Sequence, residues 1–367
     1  MNKTKNIILS IVFAVFLFSV SAACFLKPDT EFSNSERRPL ASFPTLNLAT
    51  VANGEFMDSF EEYTADQFPM RDNLRALKAL FAQKVLGKLD NNGVFMAEGH
   101  LSKIDDKENP YMMDYSSKLF KSIIERYAKG KNADIYFSIV PDKNYFLAKK
   151  NGYPSLEYDL FIEKMKEKTE FMKYLDVTKL LSLDSYYKTD THWKQEEITH
   201  IAQYLAREMG TVINNDYTLN TLKNPFYGVY AGQYAIPVKP DTIKYLTNDI
   251  IDNCIVTYYD NGLPVVGDMY NMKKAEGKDP YEMFLSGSAP LLTIENPSSK
   301  NNKELIILRD SFGSSLAPLL AEGYKKITVV DVRYIQSGFI SNFVDFENCD
   351  VLFIYSTALL NNSLAMK

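Results

Sequence analysis

The chain is poor in the residues on which many catalytic and metal sites depend. Its 367 residues include three histidines, three cysteines and one tryptophan. The histidines (His100, His192 and His200) are scattered, and no C-x-x-C or H-E-x-x-H pattern occurs. This spacing predicts neither a metal site nor a cofactor. The net charge is −5 without any basic block, which argues against nucleic acid as a partner.

Cysteine is also too scarce for a disulfide framework. Cys24 lies in an N-terminal apolar run, which leaves Cys254 and Cys349 for the rest of the chain. In an oxidising compartment these two either form one bridge or remain free and buried, and the sequence leaves both open.

One long apolar run is present, at the N-terminus. Lys3 and Lys5 precede residues 7–26, which contain neither charge nor proline. At 1.5 Å per residue this run crosses a hydrocarbon core of roughly 30 Å. The lysines predict a cytoplasmic N-terminus, with the bulk of the chain outside the cytoplasm. We therefore expect residues 1–27 to be a single-pass anchor in the cell membrane, or a signal segment.

Two alternatives to the anchor remain. A signal peptide would be cut near the small residues at 21–23, and Cys24 would fit a lipoprotein. We favour the anchor because the apolar run continues to Leu26, and because Ser21 is a poor residue three positions before a lipidated cysteine.

Residues 28–90 predict a stalk followed by helices. Prolines interrupt residues 27–60, which suggests an extended segment. Leucine and phenylalanine then recur at helical spacing over residues 54–89, broken by Pro69. Residues 66–72 predict a helix-turn-helix corner with a salt bridge.

Residues 91–367 predict an α/β domain with a mainly parallel sheet. Apolar runs at 135–140, 304–308, 327–331 and 351–355 are typical of strands covered on both faces. Helical patterns over 111–129, 157–173, 194–209 and 314–322 alternate with them, which favours a three-layer α/β/α sandwich. Residues 220–300 are rich in Tyr, Gly, Pro and Asn and predict an inserted β-rich cap, with a hairpin turn at 260–262.

Two short motifs carry candidate chemistry. Asp190 and His192 lie two residues apart just before a predicted helix, and Ser311 follows a predicted buried strand. Asp, His and Ser are the parts of an acyl-transfer triad, in which the imidazole is the base and the carboxylate orients it. A serine at a strand-to-helix turn would also lie beside the free N–H groups of the next helix. The alternative is that Asp190 or Thr191 merely caps the helix from Lys194.

The run Tyr-Lys-Thr-Asp-Thr-His-Trp at 187–193 resembles the signature of the DHHW family, whose members are similar to the SGNH-hydrolase-like domains of AlgX and AlgJ. Further landmarks match in order: Arg-Pro-Leu-Ala at 38–41, Asp-Gln-Phe-Pro-Met-Arg-Asp at 66–72, Val-Pro-Asp-Lys at 140–143, Arg-Asp-Ser-Phe at 309–312, Pro-Leu-Leu at 318–320 and Val-Asp-Val-Arg-Tyr at 330–334. Position 191 is Thr where the family name has His.

The resemblance implies an SGNH-hydrolase-like fold with Ser311 as nucleophile, His192 as base and Asp190 as its partner. It implies an extracytoplasmic O-acetyltransferase that moves an acetyl group through acetyl-serine onto hydroxyls of a cell-surface or exported polysaccharide. A multi-pass membrane O-acyltransferase would supply the acetyl groups. An acetyl esterase with the same triad, or a non-catalytic carbohydrate-binding scaffold, are the alternatives.

Three further residues are weaker candidates for substrate binding. Trp193 either stacks on a sugar or packs in the core. Arg309 either holds a substrate oxygen or forms a buried ion pair. Gly287 either lends its N–H to an oxyanion or makes a turn. We expect His100 in a loop and His200 on a partly solvated helix face.

Overall fold

The computed structural model describes residues 3–214, 216–260 and 262–367. It divides into a smaller unit, residues 1–92 with 231–238, and a larger unit, residues 93–230 with 239–367.

The helices of the described residues, in chain order, are α1 (Lys3–Leu26), α2 (Leu48–Ala52), α3 (Glu55–Asp66), α4 (Arg71–Lys84), α5 (Pro110–Tyr127), α6 (Asn144–Leu147), α7 (Tyr158–Lys168), α8 (Thr199–Glu208), α9 (Val229–Tyr234), α10 (Asp249–Asn253), α11 (Met272–Ala275), α12 (Phe312–Leu320) and α13 (Thr357–Leu360). The strands are β1 (Phe32–Ser33), β2 (Arg38–Pro39), β3 (Val94–Ala97), β4 (His100–Lys103), β5 (Ala133–Val140), β6 (Lys173–Tyr174), β7 (Thr218–Thr221), β8 (Lys244–Thr247), β9 (Ile255–Asp260), β10 (Leu263–Gly267), β11 (Leu291–Glu295), β12 (Glu304–Arg309), β13 (Lys326–Val330) and β14 (Cys349–Ser356).

Helix α1 is the N-terminal apolar run. Among the residues that the structure describes, it is the one helix long and apolar enough to cross a membrane. By length and composition it fits a membrane anchor or a signal sequence.

The predicted helix-turn-helix corner lies in the smaller unit, between α3 and α4. Asp66 ends α3, and its carboxylate pairs with Arg71 at 3.2 Å and with Arg38 at 2.6 Å. The salt bridge expected from the sequence is therefore present. The segment before the corner is not the extended stalk that its prolines suggested, because β1 pairs with β2 and the Ala41 N–H donates to Asp66.

The larger unit contains an eight-stranded sheet in the order β10-β9-β11-β13-β12-β14-β5-β6. The strands from β13 to β6 run parallel to one another. Each is a nearly continuous apolar run because both faces of the sheet are covered. The predicted α/β class with a mainly parallel sheet is confirmed.

Side chains along β14 show how the three layers arise. Leu352 and Ile354 join the apolar cluster that contains residues of α8 and α12. Val351 and Phe353 join the opposite cluster, which contains residues of α5 and α7. Alternate residues of a strand point to opposite faces, so one strand supplies both cores.

The segment 220–300 has two parts. β7 and β8 form a separate antiparallel pair. β9, β10 and β11 instead extend the main sheet as antiparallel strands. β9 and β10 pair as the predicted hairpin requires, whereas Asn261 of its turn lies outside the described residues.

One further expectation changes, and one alternative that the sequence left open is decided. The helix predicted from Lys194 begins at Thr199, after a 3-10 turn over Gln195–Glu197. Cys254 and Cys349 are both free in the structure, so the disulfide alternative is not observed.

Candidate active site

Ser311 lies at the strand-to-helix turn between β12 and α12, as its sequence context predicts. The preceding Asp310 is buried and holds this turn with both carboxylate oxygens. Oδ1 accepts the Phe312 N–H at 3.1 Å, and Oδ2 accepts the Ser356 N–H from β14 at 2.8 Å. The turn is thereby fixed to the neighbouring parallel strand, at the carboxyl edge of the sheet, where α/β folds build their sites.

The loop that carries His192 is short, and an antiparallel β-bridge between Tyr186 and Trp193 joins its two ends. The carboxylate of Asp241 holds its outer part. This carboxylate accepts the Lys188 N–H at 2.9 Å, the Thr189 N–H at 2.7 Å and the Thr189 hydroxyl at 2.6 Å. Three donors thus converge on one carboxylate, which ties the outer part of the loop to Asp241.

The structure brings Ser311, His192 and Asp190 together in series. Ser311 Oγ lies 2.8 Å from His192 Nε2, and His192 Nδ1 lies 2.6 Å from Asp190 Oδ1. The hydrogen-bond network assigns the proton of the neutral ring to Nδ1, which leaves Nε2 to accept the serine proton. The spacing of two residues suffices because the His192 N–H also donates to Asp190 Oδ1, at 3.1 Å, in a local turn.

Asp190 is buried, and its second oxygen has a partner from a distant part of the larger unit. Oδ2 accepts the Val229 N–H at 2.9 Å. The neighbouring Gly228 comes so close that a Cβ atom there would lie 2.3 Å from the Cβ of Asp190. Position 228 therefore requires glycine, and any side chain would displace the carboxylate that orients His192. The cap interpretation of Asp190 fails, since α8 starts at Thr199 with Ile198 before it.

The imidazole of His192 is largely covered by aromatic neighbours. Its ring stacks on Tyr281, with centroids 3.9 Å apart and planes 9° apart. The hydroxyl of Tyr281 contacts Ser315 Oγ at 2.9 Å, and burial raises the pKa of this phenol. The His192 side chain remains 12% exposed.

Lys143 lies fully buried beneath the histidine loop. Its Nζ donates to the carbonyl oxygens of Tyr187 at 2.8 Å and Lys188 at 3.2 Å. Burial lowers the pKa of Lys143 to about 7. The sequence marks this residue only as part of the Val-Pro-Asp-Lys landmark, and its contact with the loop depends on the tertiary fold.

The weaker substrate-binding candidates occupy structural positions. Trp193 is 0% exposed, and its Nε1–H donates to Phe312 O at 3.1 Å and Ser315 Oγ at 2.9 Å, so it offers no face to a sugar. Arg309 is also 0% exposed and pairs with Asp331 at 3.2 Å. It forms the buried ion pair that was the alternative to substrate contact.

Gly287 and the first turn of α12 offer fewer oxyanion donors than the sequence suggested. The Gly287 N–H donates to Phe284 O at 3.1 Å, within a turn where Gly287 has φ +71°. The Phe312 and Gly313 N–H groups both donate to Asp310. Within the part of the chain that the structure describes, the Ser311 N–H has no acceptor, which makes it the best-placed backbone donor for an oxyanion.

The other histidines lie apart from this arrangement. His100 is buried in β4 rather than in a loop, and His200 is exposed on α8 with Nε2 2.7 Å from Leu180 O. In residues 3–214, 216–260 and 262–367, no three His, Cys, Asp or Glu side chains are grouped as metal ligands would be.

The sequence matches no family model and no curated protein. Solved structures do match its fold. A DHHW family protein from Eubacterium siraeum DSM 15702 is 22% identical with a TM-score of 0.61, over 75% of this chain and 94% of that chain. This chain has the fold of a DHHW family protein.

Two further solved structures are similar. Bacillus cereus PatB1 with a sulfonyl adduct is 21% identical with a TM-score of 0.59, over 73% of this chain and 95% of that chain. The O-acetyltransferase domain of Pseudomonas putida AlgJ is 13% identical with a TM-score of 0.43, over 73% of this chain and 92% of that chain. The DHHW family protein and PatB1 confirm the resemblance seen in the sequence, as a shared fold.

Proposed function

We propose that this protein is a membrane-anchored, extracytoplasmic O-acetyltransferase that acts on hydroxyls of a cell-surface or exported polysaccharide. The observation that carries the proposal is the continuous series from the Ser311 hydroxyl through His192 to Asp190, with contacts of 2.8 and 2.6 Å. These lengths lie within the range that proton transfer between a nucleophile and its base requires.

The reaction follows from the placement of these three groups. Ser311 Oγ attacks the carbonyl carbon of an acetyl donor while His192 Nε2 accepts the serine proton. The bond to the donor's leaving group breaks, and the imidazolium returns the proton to that group. A sugar hydroxyl then attacks acetyl-Ser311 and gives its proton to His192, and Ser311 recovers a proton as the acetylated sugar departs. Asp190 keeps the ring in the productive tautomer throughout.

The remaining parts of the proposal rest on α1 and on the shared fold. An anchored chain would stay close to a multi-pass membrane O-acyltransferase that presents acetyl groups outside the cytoplasm. Tethering both proteins in one membrane raises the effective concentration of the donor without any new contact. The sulfonyl adduct of PatB1 suggests a practical probe, because sulfonyl reagents capture activated nucleophiles.

Ser311→Ala tests the proposal, with Ser314→Ala as a matched control. Ser314 lies one helical turn away, and its buried hydroxyl makes no hydrogen bond to the described residues. We expect Ser311→Ala to lose at least about 10³-fold in acetyl release from an artificial acetyl ester. Ser314→Ala should keep its activity. A sulfonyl fluoride should modify the unsubstituted chain and Ser314→Ala, but not Ser311→Ala.

The acceptor separates transfer from hydrolysis. Acetylated oligosaccharide formed from the acetyl ester at the expense of free acetate supports the transferase. If free acetate is the only product with every oligosaccharide that is offered as an acceptor, the protein is an esterase. If cells that carry Ser311→Ala acetylate their polymer as before, the enzyme proposal is wrong and a scaffold role replaces it.

A further inference from the structure

Helix α4 in the smaller unit exposes the apolar side of an amphipathic pattern. Leu74, Leu77, Phe81 and Val85, the last being the residue that caps the end of α4, follow one another at spacings of three, four and four residues, which places them on one face. Their exposed fractions are 44%, 62%, 53% and 64%. We call these four side chains the α4 stripe.

The opposite face of α4 is the one that packs. Ala79 and Ala82 are the buried residues of this helix, and Arg75 is largely covered through its ion pair with Glu36 at 3.1 Å. Small and charged residues thus face inward while the large apolar ones face outward. This inverts the usual orientation of a helix on a globular domain and indicates that another apolar environment covers the stripe.

Lysines lie on both sides of the stripe. Lys78 flanks it on one side and Lys84 on the other, and Lys88 follows the end of the helix, all of them exposed. An apolar face bordered by lysines is the pattern of helices that lie in the plane of a membrane surface. Their long side chains can reach lipid phosphates while the stripe enters the acyl boundary.

The chain segment leaving α1 is fixed to the start of this same region. The Gln67 side-chain amide accepts the Thr30 N–H at 2.9 Å and donates to Thr30 O at 3.0 Å. Lys27, the residue after α1, donates from Nζ to Gln67 O at 3.3 Å, and Tyr63 donates to Asp29 at 2.9 Å. The α3–α4 corner therefore lies within one side-chain length of the point where α1 ends.

We propose that α4 lies on the outer surface of the membrane, with the α4 stripe in the headgroup and acyl boundary and its lysines on anionic lipid phosphates. The hydrogen bonds from Lys27 and Thr30 to Gln67 hold the start of α4 close to the residue where α1 leaves the membrane. Helix α4 is about 21 Å long. The inference rests on the anchor that is part of the proposed function. It adds that the smaller unit binds the membrane surface through α4 and is not attached to the membrane by α1 alone.

Tryptophan fluorescence in vesicles tests the position of the stripe. The full chain is reconstituted in equal parts of phosphatidylcholine and phosphatidylglycerol, as Leu77→Trp and as Leu160→Trp. Leu160 is a matched control because it is an exposed leucine, 51%, on helix α7 of the larger unit. The buried Trp193 gives a constant background that the unsubstituted chain supplies.

The expected result is that lipids brominated on their acyl chains quench most of the fluorescence added by Leu77→Trp, with a blue-shifted emission, and leave that of Leu160→Trp unchanged. Adding Lys84→Glu and Lys88→Glu to Leu77→Trp should weaken this quenching. Unchanged quenching in that variant would overturn the assigned lipid-phosphate contacts.

Two results would overturn the proposal itself. A blue-shifted but unquenched Leu77→Trp would mean that protein, such as a second copy or a partner, covers the stripe. A red-shifted and unquenched emission would mean that water does. Acetyl release by the same samples tests the proposed enzyme activity separately. Resistance of the chain to carbonate extraction tests the proposed membrane anchor.

Discussion

The two units of this chain treat apolar helix faces in opposite ways. On α8 in the larger unit, Ile201 and Leu205 are fully buried under the sheet. On α4 in the smaller unit, Leu77 and Phe81 are exposed, and alanines occupy the buried face. Both helices have an amphipathic sequence. Amphipathicity therefore identifies which residues share a face, but it does not say whether protein or membrane covers that face.

Buried carboxylates differ between the units as well. Asp190 in the larger unit has the His192 ring and backbone N–H groups among its partners. Asp66 in the smaller unit is paired with the guanidinium groups of Arg38 and Arg71. The first arrangement orients an imidazole ring, whereas the second cancels charge and joins helices to a loop. The same residue type thus meets an imidazole in one unit and guanidinium groups in the other.

The largest expected effect separates these two carboxylates. Asp190→Asn should lower acetyl release by about 10⁴-fold, because an amide favours the wrong imidazole tautomer. Asp66→Asn, also a buried Asp-to-Asn change, should leave kcat unaltered. Steady-state kinetics with an artificial acetyl ester measures both. Comparable losses in the two variants would show that Asp190 acts through the fold alone.

A smaller effect separates the two apolar faces. Leu205→Ala should cost about 2–5 kcal/mol in the free energy of unfolding, because it leaves a cavity in a closed core. Leu77→Ala should change that quantity by less than about 0.5 kcal/mol in detergent, since little packing is lost. Urea unfolding followed by Trp193 fluorescence and by far-ultraviolet circular dichroism gives both values. Equal costs would mean that the α4 stripe is packed against protein.

The layers of the larger unit were predictable because their signals are local. The run at 135–140 is apolar throughout, as a strand covered on both faces must be, and it forms the end of β5. Ser311 and the Asp190–His192 pair were also found locally, as short motifs at the ends of elements. The antiparallel extension of the sheet by β9 and β11 was missed, since the composition of a segment does not identify its pairing partner.

The residues that hold the histidine loop in place were not predictable, because local sequence does not identify contacts between distant residues. Gly228 and Asp241 contact the histidine loop across gaps of 39 and 52 residues, and Lys143 does so across 44. Each looks ordinary in its own neighbourhood. Only the folded chain shows that Gly228 has no room for a Cβ atom and that Asp241 accepts three hydrogen bonds. It likewise shows that Lys143 is buried away from solvent.

The smallest expected effect tests how the smaller unit depends on its ion pairs. The hydrogen bond from Arg38 holds the pKa of Asp66 below its usual value. The stability that Asp66 provides is therefore fully present above the unfolded pKa of about 3.9, and it is lost as the pH falls through the lower folded pKa. We expect about 1 kcal/mol, because the Arg38 side chain is 39% exposed and solvent screens the pair.

Hydrogen-exchange protection of α3 and α4 below pH 4 measures this contribution. Protection should fall with pH in the unsubstituted chain, and should already be reduced and nearly constant with pH in Asp66→Asn. Glu62→Gln, an exposed carboxyl on α3, is the control and should behave as the unsubstituted chain does. Helix α8 of the larger unit should keep its protection below pH 4. If α8 lost protection there, and if Asp66→Asn changed that loss as it does for α3 and α4, the stabilising effect of Asp66 would not be specific to the smaller unit.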